Sequence, residues 1–469
     1  MIVRDMTSSH TYKMTFVAIC IFAIVAVLAM LVRPKAAGPI SLHVLVPLYY
    51  LVFFLFVPAL ELLAGVDDYS RARSLPDVYL LLALAVASFW LMSWVAYIAS
   101  VGLALRLTER YPLVLVARRD MTFMMLVLGL SGLVIAVHSG YYGLAFSEES
   151  ADSRTAVFGN IPVFMTSLLD LALLVSWWQC HHYPRDRYWK SIAWTSLLAL
   201  VLAGLFSNSK AAILNPILLV LLVKYVHGWR PSIVHYLIFA TGVLMFVFPF
   251  VYIARFRVQD EGIVTQADYT RFVFDFLWGL EWLSFEVLAE LADDAVRSLG
   301  RGLLAVLDEI VTTTGVTVAS MDGYTYRHGI EVAVPRFIDP DKPPLNIGNI
   351  VAHHYGFIPT TDHLTNIAVS QVGEMYMNFG VLGVVIGMGL WGVLATMMHR
   401  IFGPRSWITP AIAMTVLWQE GYLSTLIIKL RDIPVFLTLL MLLHLILILR
   451  SALKHAARKS HAAHRPHAV

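Results

Sequence analysis

The feature that most constrains this chain is a succession of apolar runs, each about 20 residues long, separated by short polar segments. Lipid offers no water to satisfy backbone N–H and C=O groups, so runs of this length must fold as helices. They fall near 14–32, 41–64, 77–105, 121–138, 161–180, 191–206, 211–226, 232–254, 376–398, 406–428 and 433–450. The stretch from 191 to 226 is divided by Ser207-Asn208-Ser209-Lys210, which reads as a tight polar turn between two helices. Hydrophobic residues make up 59% of the chain and charged ones 14%, where a soluble domain carries about 45–50% and about 25%. A surplus of that size over 469 residues exceeds what a water-soluble core can hide. The expected fold is therefore all-α: a polytopic integral membrane helical bundle of about 11–12 transmembrane helices with one large external loop. Residues 1–254 hold about eight helices, 255–375 the loop with an amphipathic helix, 376–450 about three helices, and 451–469 a basic cytoplasmic tail.

Several classes of function drop out at once. The first apolar run is too long for a signal-peptide core and lacks a small-residue cleavage site, so it reads as a retained helix. A formal net charge of +3, gathered at the ends of apolar runs, gives no footprint for nucleic acid. Cys20 lies within an apolar run and Cys180 at the end of another, which suits neither a disulfide framework nor a thiolate metal site.

Short loops rich in Lys and Arg stay cytoplasmic. Arg106, Arg110, Arg118 and Arg119 mark one such loop and Arg185, Arg187 and Lys190 another. Lys224 with Arg230, Arg400 with Arg405, and the tail residues Lys454, Arg458, Lys459 and Arg465 mark three more. These agree if the helices alternate, which puts the acidic Glu148, Glu149 and Asp152 and the long stretch 255–362 outside. Eleven crossings also put the N-terminus outside, whereas Arg4 and Lys13 favour inside. A twelfth crossing or a re-entrant segment is the alternative.

A connection as long as 255–362 is functional more often than structural. Between Thr270 and Val296, apolar and aromatic residues interleave with Asp275, Glu281, Glu286, Glu290, Asp293 and Asp294. That is an amphipathic helix, either on the membrane surface or half-buried over the bundle. Tyr324-Thr-Tyr326-Arg-His-Gly and then Val334-Pro335-Arg336-Phe-Ile-Asp-Pro-Asp-Lys342-Pro343-Pro344 read as rigid irregular backbone. Arg and Lys fixed in such a loop suit an anion, and a solvated proline-rich turn is the plain alternative. His353, His354 and His363 lie close in sequence, yet their spacing matches no standard zinc pattern, so no metal is expected. The segment Gln371-Val-Gly-Glu374-Met-Tyr376-Met-Asn378-Phe-Gly380 opens the next apolar run, with Glu374 at its outer mouth. A carboxylate there can serve as a general base or simply satisfy the positive end of the helix dipole. Gly380, Gly383, Gly387 and Gly392 read as small residues for close helix packing. Lys210 at the polar break, and Arg255 and Arg257 leading into the loop, read as external cations at an anion position or as interfacial snorkelling residues.

These features together resemble the bacterial Wzy-type polymerases of O-antigen and exopolysaccharide repeat units. Three stretches carry the likeness: Ser207-Asn-Ser-Lys210; Pro335-Arg336-Phe-Ile-Asp-Pro-Asp-Lys342-Pro343; and Gly373-Glu374-Met-Tyr376-Met-Asn378-Phe-Gly380. The plan of many helices with one large late periplasmic loop is also similar, so the likeness covers nearly the whole chain. Many relatives have an arginine where this chain has Lys210, a point charge without the guanidinium fork. The resemblance implies a metal-independent and cofactor-independent glycosyltransferase of the bacterial inner membrane. Its partner would be undecaprenyl-diphosphate-linked oligosaccharide, alongside the lipid bilayer and a polysaccharide chain-length regulator. It implies Glu374 and His363 as acid–base residues, and Lys210, Arg255, Arg257, Arg336 and Lys342 as diphosphate ligands. It also implies Tyr324, Tyr326, Tyr355, Tyr376 and Asn378 as glycan contacts.

Two rival readings remain open. An O-antigen ligase shares the helices, the loop and the donor, and His363 ahead of Gly380 and Gly383 is reminiscent of that family. A flippase for lipid-linked oligosaccharide would carry charged residues at mid-membrane in broken helices. The runs at 14–32, 41–64 and 433–450 have almost none, apart from Glu61 near a helix end.

Overall fold

The computed structural model describes residues 2–32, 42–63, 74–100, 118–138, 161–207, 209–247, 250–251, 266–279, 302–334, 339, 343, 346–362, 365–402, 409–417, 424 and 445. Among these, six helices are long and apolar enough to cross a membrane: Lys13–Leu31, His43–Leu63, Leu75–Ala99, Arg119–His138, Arg187–Phe206 and Ser370–Ile401. No strand occurs among the described residues. Side chains such as Phe16, Ile98, Val134, Leu198, Leu382 and Leu390 stand exposed on the helices, an apolar surface that only lipid would solvate favourably.

The first group of helices is α1 (Ile2–Leu31), α2 and α3 (Leu75–Ala99). α2 runs from Leu42–Leu51 through a π-helical Val52–Phe56 into Val57–Leu63. A π turn leaves backbone carbonyls off the regular ladder, and the Tyr79 hydroxyl of α3 donates to the Phe54 carbonyl across 3.0 Å. A second group packs around its own apolar core: α4 (Arg119–His138), α5 (Ile161–His182), α6 (Arg187–Phe206) and α7 (Lys210–Val226). Gly129 and Gly132 of α4 let the α5 backbone approach so closely that a methyl group at either would clash with Leu169 or Met165. Leu45 and Trp178 meet Val226 and Ala413 of α14 (Thr409–Leu417), and so join the two groups.

α6 ends at Phe206 and α7 starts at Lys210, so the polar break separates two helices as its sequence implies. The Ser209 hydroxyl accepts from the Ala212 N–H and caps α7, while Gly204 allows α6 and α7 to touch backbone to backbone. α8 (Ile233–Gly242) continues through a π-helical Val243–Val247. α9 (Gln266–Gly279) buries Tyr269 and Val273 against Ile213, Phe250 and Val251, leaving Arg271 and Asp275 exposed. The amphipathic stretch is thus a half-buried helix over the bundle as far as Gly279, and its continuation to Val296 lies outside the described residues.

Three short helices follow: α10 (Leu303–Thr313), α11 (Tyr324–Ala333) and α12 (Ile347–His354). α11 corrects the expectation of irregular backbone. The prolines that forbid helix begin at Pro335, so the ten residues from Tyr324 are free to coil once Gly323, at φ +84°, turns the chain into the helix.

The last long helix among the described residues, α13 (Ser370–Phe402), is broken at Gly380, where φ is +62° and ψ −153°. The two halves fold against each other. A Cβ on Gly383 would lie 2.5 Å from the Met375 carbonyl oxygen, and one on Gly387 2.6 Å from the Met375 sulfur. In a straight helix residues eight apart are about 12 Å apart along the axis. The second half runs beside α3 in the same direction, from Ser88 opposite Val385 to Tyr97 opposite Arg400. Gly392 sits against the Phe89 carbonyl, where a Cβ would come within 2.2 Å, and the Ser93 hydroxyl bonds the Gly392 carbonyl.

Candidate functional site

The contacts define two ends of the bundle. At one end the Arg400 guanidinium donates to the Tyr97 carbonyl, and the His43 ring bonds the Thr396 hydroxyl at 2.9 Å. The same end carries the Arg119–Asp186 ion pair and Lys224 over the Trp177 and Trp229 rings. Parts of four basic loops that sequence assigns to one side therefore gather at one end. Ser74, whose N–H donates to Asp308, starts α3 at the opposite end, and α10, α11 and the first half of α13 lie there too.

The first half of α13 stops at Gly380, which orphans the carbonyls of its last turn. The Met321 N–H donates to the Met377 carbonyl at 2.9 Å, and the Ser320 hydroxyl reaches the Met377 and Asn378 carbonyls at 3.2 and 3.1 Å. The loop ahead of α11 thus caps the broken helix and fixes α11 beside it. Gln371, Glu374 and Asn378 follow an i, i+3, i+7 spacing, so they share one stripe of that half-helix. The Asn378 amide donates to the Thr325 hydroxyl at 2.9 Å and to the Glu374 carbonyl at 2.7 Å. Thr325 and His328 share one face of α11, and Gly329 touches Ser424. The Ser424 N–H donates to both carboxylate oxygens of Glu374, at 3.4 and 3.3 Å.

Glu374 is fully buried. Sequence placed it at the outer mouth of the helix; the structure sinks it inside, because α13 begins at Ser370 and α11 and Ser424 close over it. Asn378, Gln371, His328 and Ser424 are buried beside it, with exposures of 1%, 3%, 2% and 0%. Tyr326 stacks on Phe379 at 5.9 Å with nearly parallel rings. Burial pushes its phenol above the ordinary tyrosine range, and the nearby Glu374 carboxylate pushes it further. Tyr324, 37% exposed, lies over the His328 ring at 5.9 Å.

Among the residues expected from sequence, Glu374, Asn378 and Tyr326 come together here, with Tyr324 at the rim. Tyr376 is on the same half-helix and donates to the Val311 carbonyl. Tyr355 lies nearby in an apolar cluster with Ile310, Ile347 and Phe357. Its hydroxyl is bonded to Thr314 at 2.8 Å. Burial raises its phenol, the Thr314 hydrogen bond draws it back down, and Tyr376 raises it again. Lys210 is the first residue of α7, at the end of that helix away from Lys224. His363, Arg255, Arg257, Arg336 and Lys342 lie outside the described residues. His353 and His354 bond the Asp362 and Ala319 carbonyls. Among the described residues, no three His, Cys, Asp or Glu side chains are placed to hold a metal ion.

Thr325, His328, Gln371 and Ser424 were missed in the sequence. The spacing of Gln371 and His328 to Glu374 and Thr325 was a legible signal, whereas Ser424 reaches Glu374 only through tertiary folding. No protein-family model, curated protein or solved structure matches this chain. Fold and site define a helical bundle with, among the described residues, six helices able to span a membrane and a buried carboxylate in a polar cluster at one end.

Proposed function

We propose that this chain is a membrane glycosyltransferase that polymerises undecaprenyl-diphosphate-linked oligosaccharide repeat units at the periplasmic face of the bacterial inner membrane. The observation that carries the proposal is the fully buried Glu374 carboxylate, held by a backbone N–H beside a helix break. It sits at the end of the bundle opposite the basic loops, where positively charged loops mark the cytoplasmic side. An ionisable group in such a place is costly and favours a functional role.

The chemistry follows from that carboxylate. A hydroxyl oxygen of the incoming lipid-linked repeat unit attacks C1 of the sugar joined to the lipid diphosphate of the growing chain. The C1–O bond to the diphosphate breaks with its electron pair going to the leaving group, and the hydroxyl proton passes to Glu374 as general base. Lys210, Arg255, Arg257, Arg336 and Lys342 supply the cations that stabilise the charge developing on the diphosphate. Tyr324 offers a ring face to the glycan, and a chain-length regulator is a further partner.

Glycan analysis of a strain deleted for the gene and complemented with variants tests the reading. Deletion leaves single-repeat products, the wild-type chain restores the long polymer, and Glu374→Gln and Arg336→Ala do not, at unchanged protein level. Normal ladders from both variants would sink the site assignment. Long polymer stranded on the lipid carrier would make the chain a ligase, and repeat units trapped on the cytoplasmic side a flippase.

A further inference from the structure

Around Glu374, four buried polar atoms without a partner can each accept a hydrogen bond. Gln371 Oε1 and Asn378 Oδ1 can only accept a hydrogen bond, while His328 Nε2 and Ser424 Oγ can accept or donate. All four belong to side chains at most 3% exposed. Buried polar groups are almost always satisfied, so this arrangement calls for a guest. The Asn378 amide N–H is already spent on Thr325 and the Glu374 carbonyl, and the Ser424 N–H on the carboxylate. What remains suits a neutral ligand rich in O–H donors.

We propose that the cluster of Gln371, Glu374, Asn378, His328 and Ser424 is the pocket for the hydroxyl-bearing sugar of the acceptor, and that the lipid diphosphate binds elsewhere. The assignment deepens the polymerase reading and rests on it. His328 and Gln371 hold sugar hydroxyls, and the half-exposed Tyr324 ring stacked on His328 borders the pocket.

The test uses the full chain in lipid nanodiscs with two probes. One is the free oligosaccharide released by mild acid from the single-repeat lipid-linked product of the deletion strain. The other is farnesyl diphosphate. Wild type binds both. His328→Gln and Gln371→Leu each weaken the oligosaccharide about tenfold, the worth of one hydrogen bond, and leave farnesyl diphosphate within about twofold. Ser424→Ala, which keeps the backbone donor to Glu374, serves where either variant fails a thermal-unfolding control. Unchanged oligosaccharide binding in the folded variants overturns the assignment, as does loss of farnesyl diphosphate binding instead. No oligosaccharide binding by the wild-type chain overturns it too. Stabilisation by sodium over choline that Glu374→Gln abolishes, with no effect of the oligosaccharide, gives the pocket to a cation. Failure of the polymerase reading is separate: the deletion strain would then accumulate no single-repeat product at all.

Discussion

Gly380 occupies a backbone region that side chains essentially exclude, and nothing lies within 4 Å of where its Cβ would be. The cost of Gly380→Ala is therefore conformational, roughly 1–3 kcal/mol, and thermal unfolding in detergent should show it as a lowered Tm. Because the break positions Glu374, polymer output should fall more steeply than stability. Tyr326 gives a prediction in pH. Its phenol ionises at a higher pH in the folded chain than the ordinary value of 10.0. A raised folded pKa contributes stability that is complete below the unfolded value and is lost as pH rises toward the folded one. The chain should accordingly weaken above about pH 10, and Tyr326→Phe should flatten that decline in an alkaline unfolding series. An unaltered slope would show that Tyr326 does not control it. The i, i+3, i+7 stripe through Glu374 was readable in advance, but the positive φ at Gly380 was not. A glycine in an apolar run looks the same whether it packs or bends.

At the scale of elements, the glycines of α13 divide by what they touch. Gly392 meets the Phe89 carbonyl and Gly383 the Met375 carbonyl, both rigid backbone, while Gly387 meets the flexible end of the Met375 side chain. Gly392→Ala and Gly383→Ala should each destabilise by about 1–3 kcal/mol through overpacking, and Gly387→Ala by clearly less. Equal costs at all three, measured by unfolding in detergent, would mean that the halves of α13 do not fold together as described. Small residues for close approach were legible in the sequence. Their partners were not, since α3 and the returning half-helix were equally good apolar neighbours.

For the whole molecule, the two ends should face opposite sides of a membrane. Val316, 80% exposed in the turn after α10, and Tyr183, 57% exposed after α5, mark them. In a background with Cys20 and Cys180 replaced by alanine, Val316→Cys should react with an impermeant maleimide in spheroplasts. Tyr183→Cys should react only after the membrane is permeabilised. Labelling of both from the same side would contradict the bundle. The expected sidedness rests on the basic loops, because loops rich in Lys and Arg remain cytoplasmic.

The sequence by itself determined the six long apolar helices among the described residues, their approximate limits and the gathering of basic loops at one end. The physical reason is that lipid leaves the backbone no partner but itself, so hydrophobicity over about 20 residues suffices to specify a helix. Tertiary structure alone decided that α13 breaks and folds back, and that Ser424 closes over Glu374. Those outcomes depend on which distant backbone donors and carbonyls find each other. In this chain a carboxylate and an N–H fifty residues apart had to meet before there was a site.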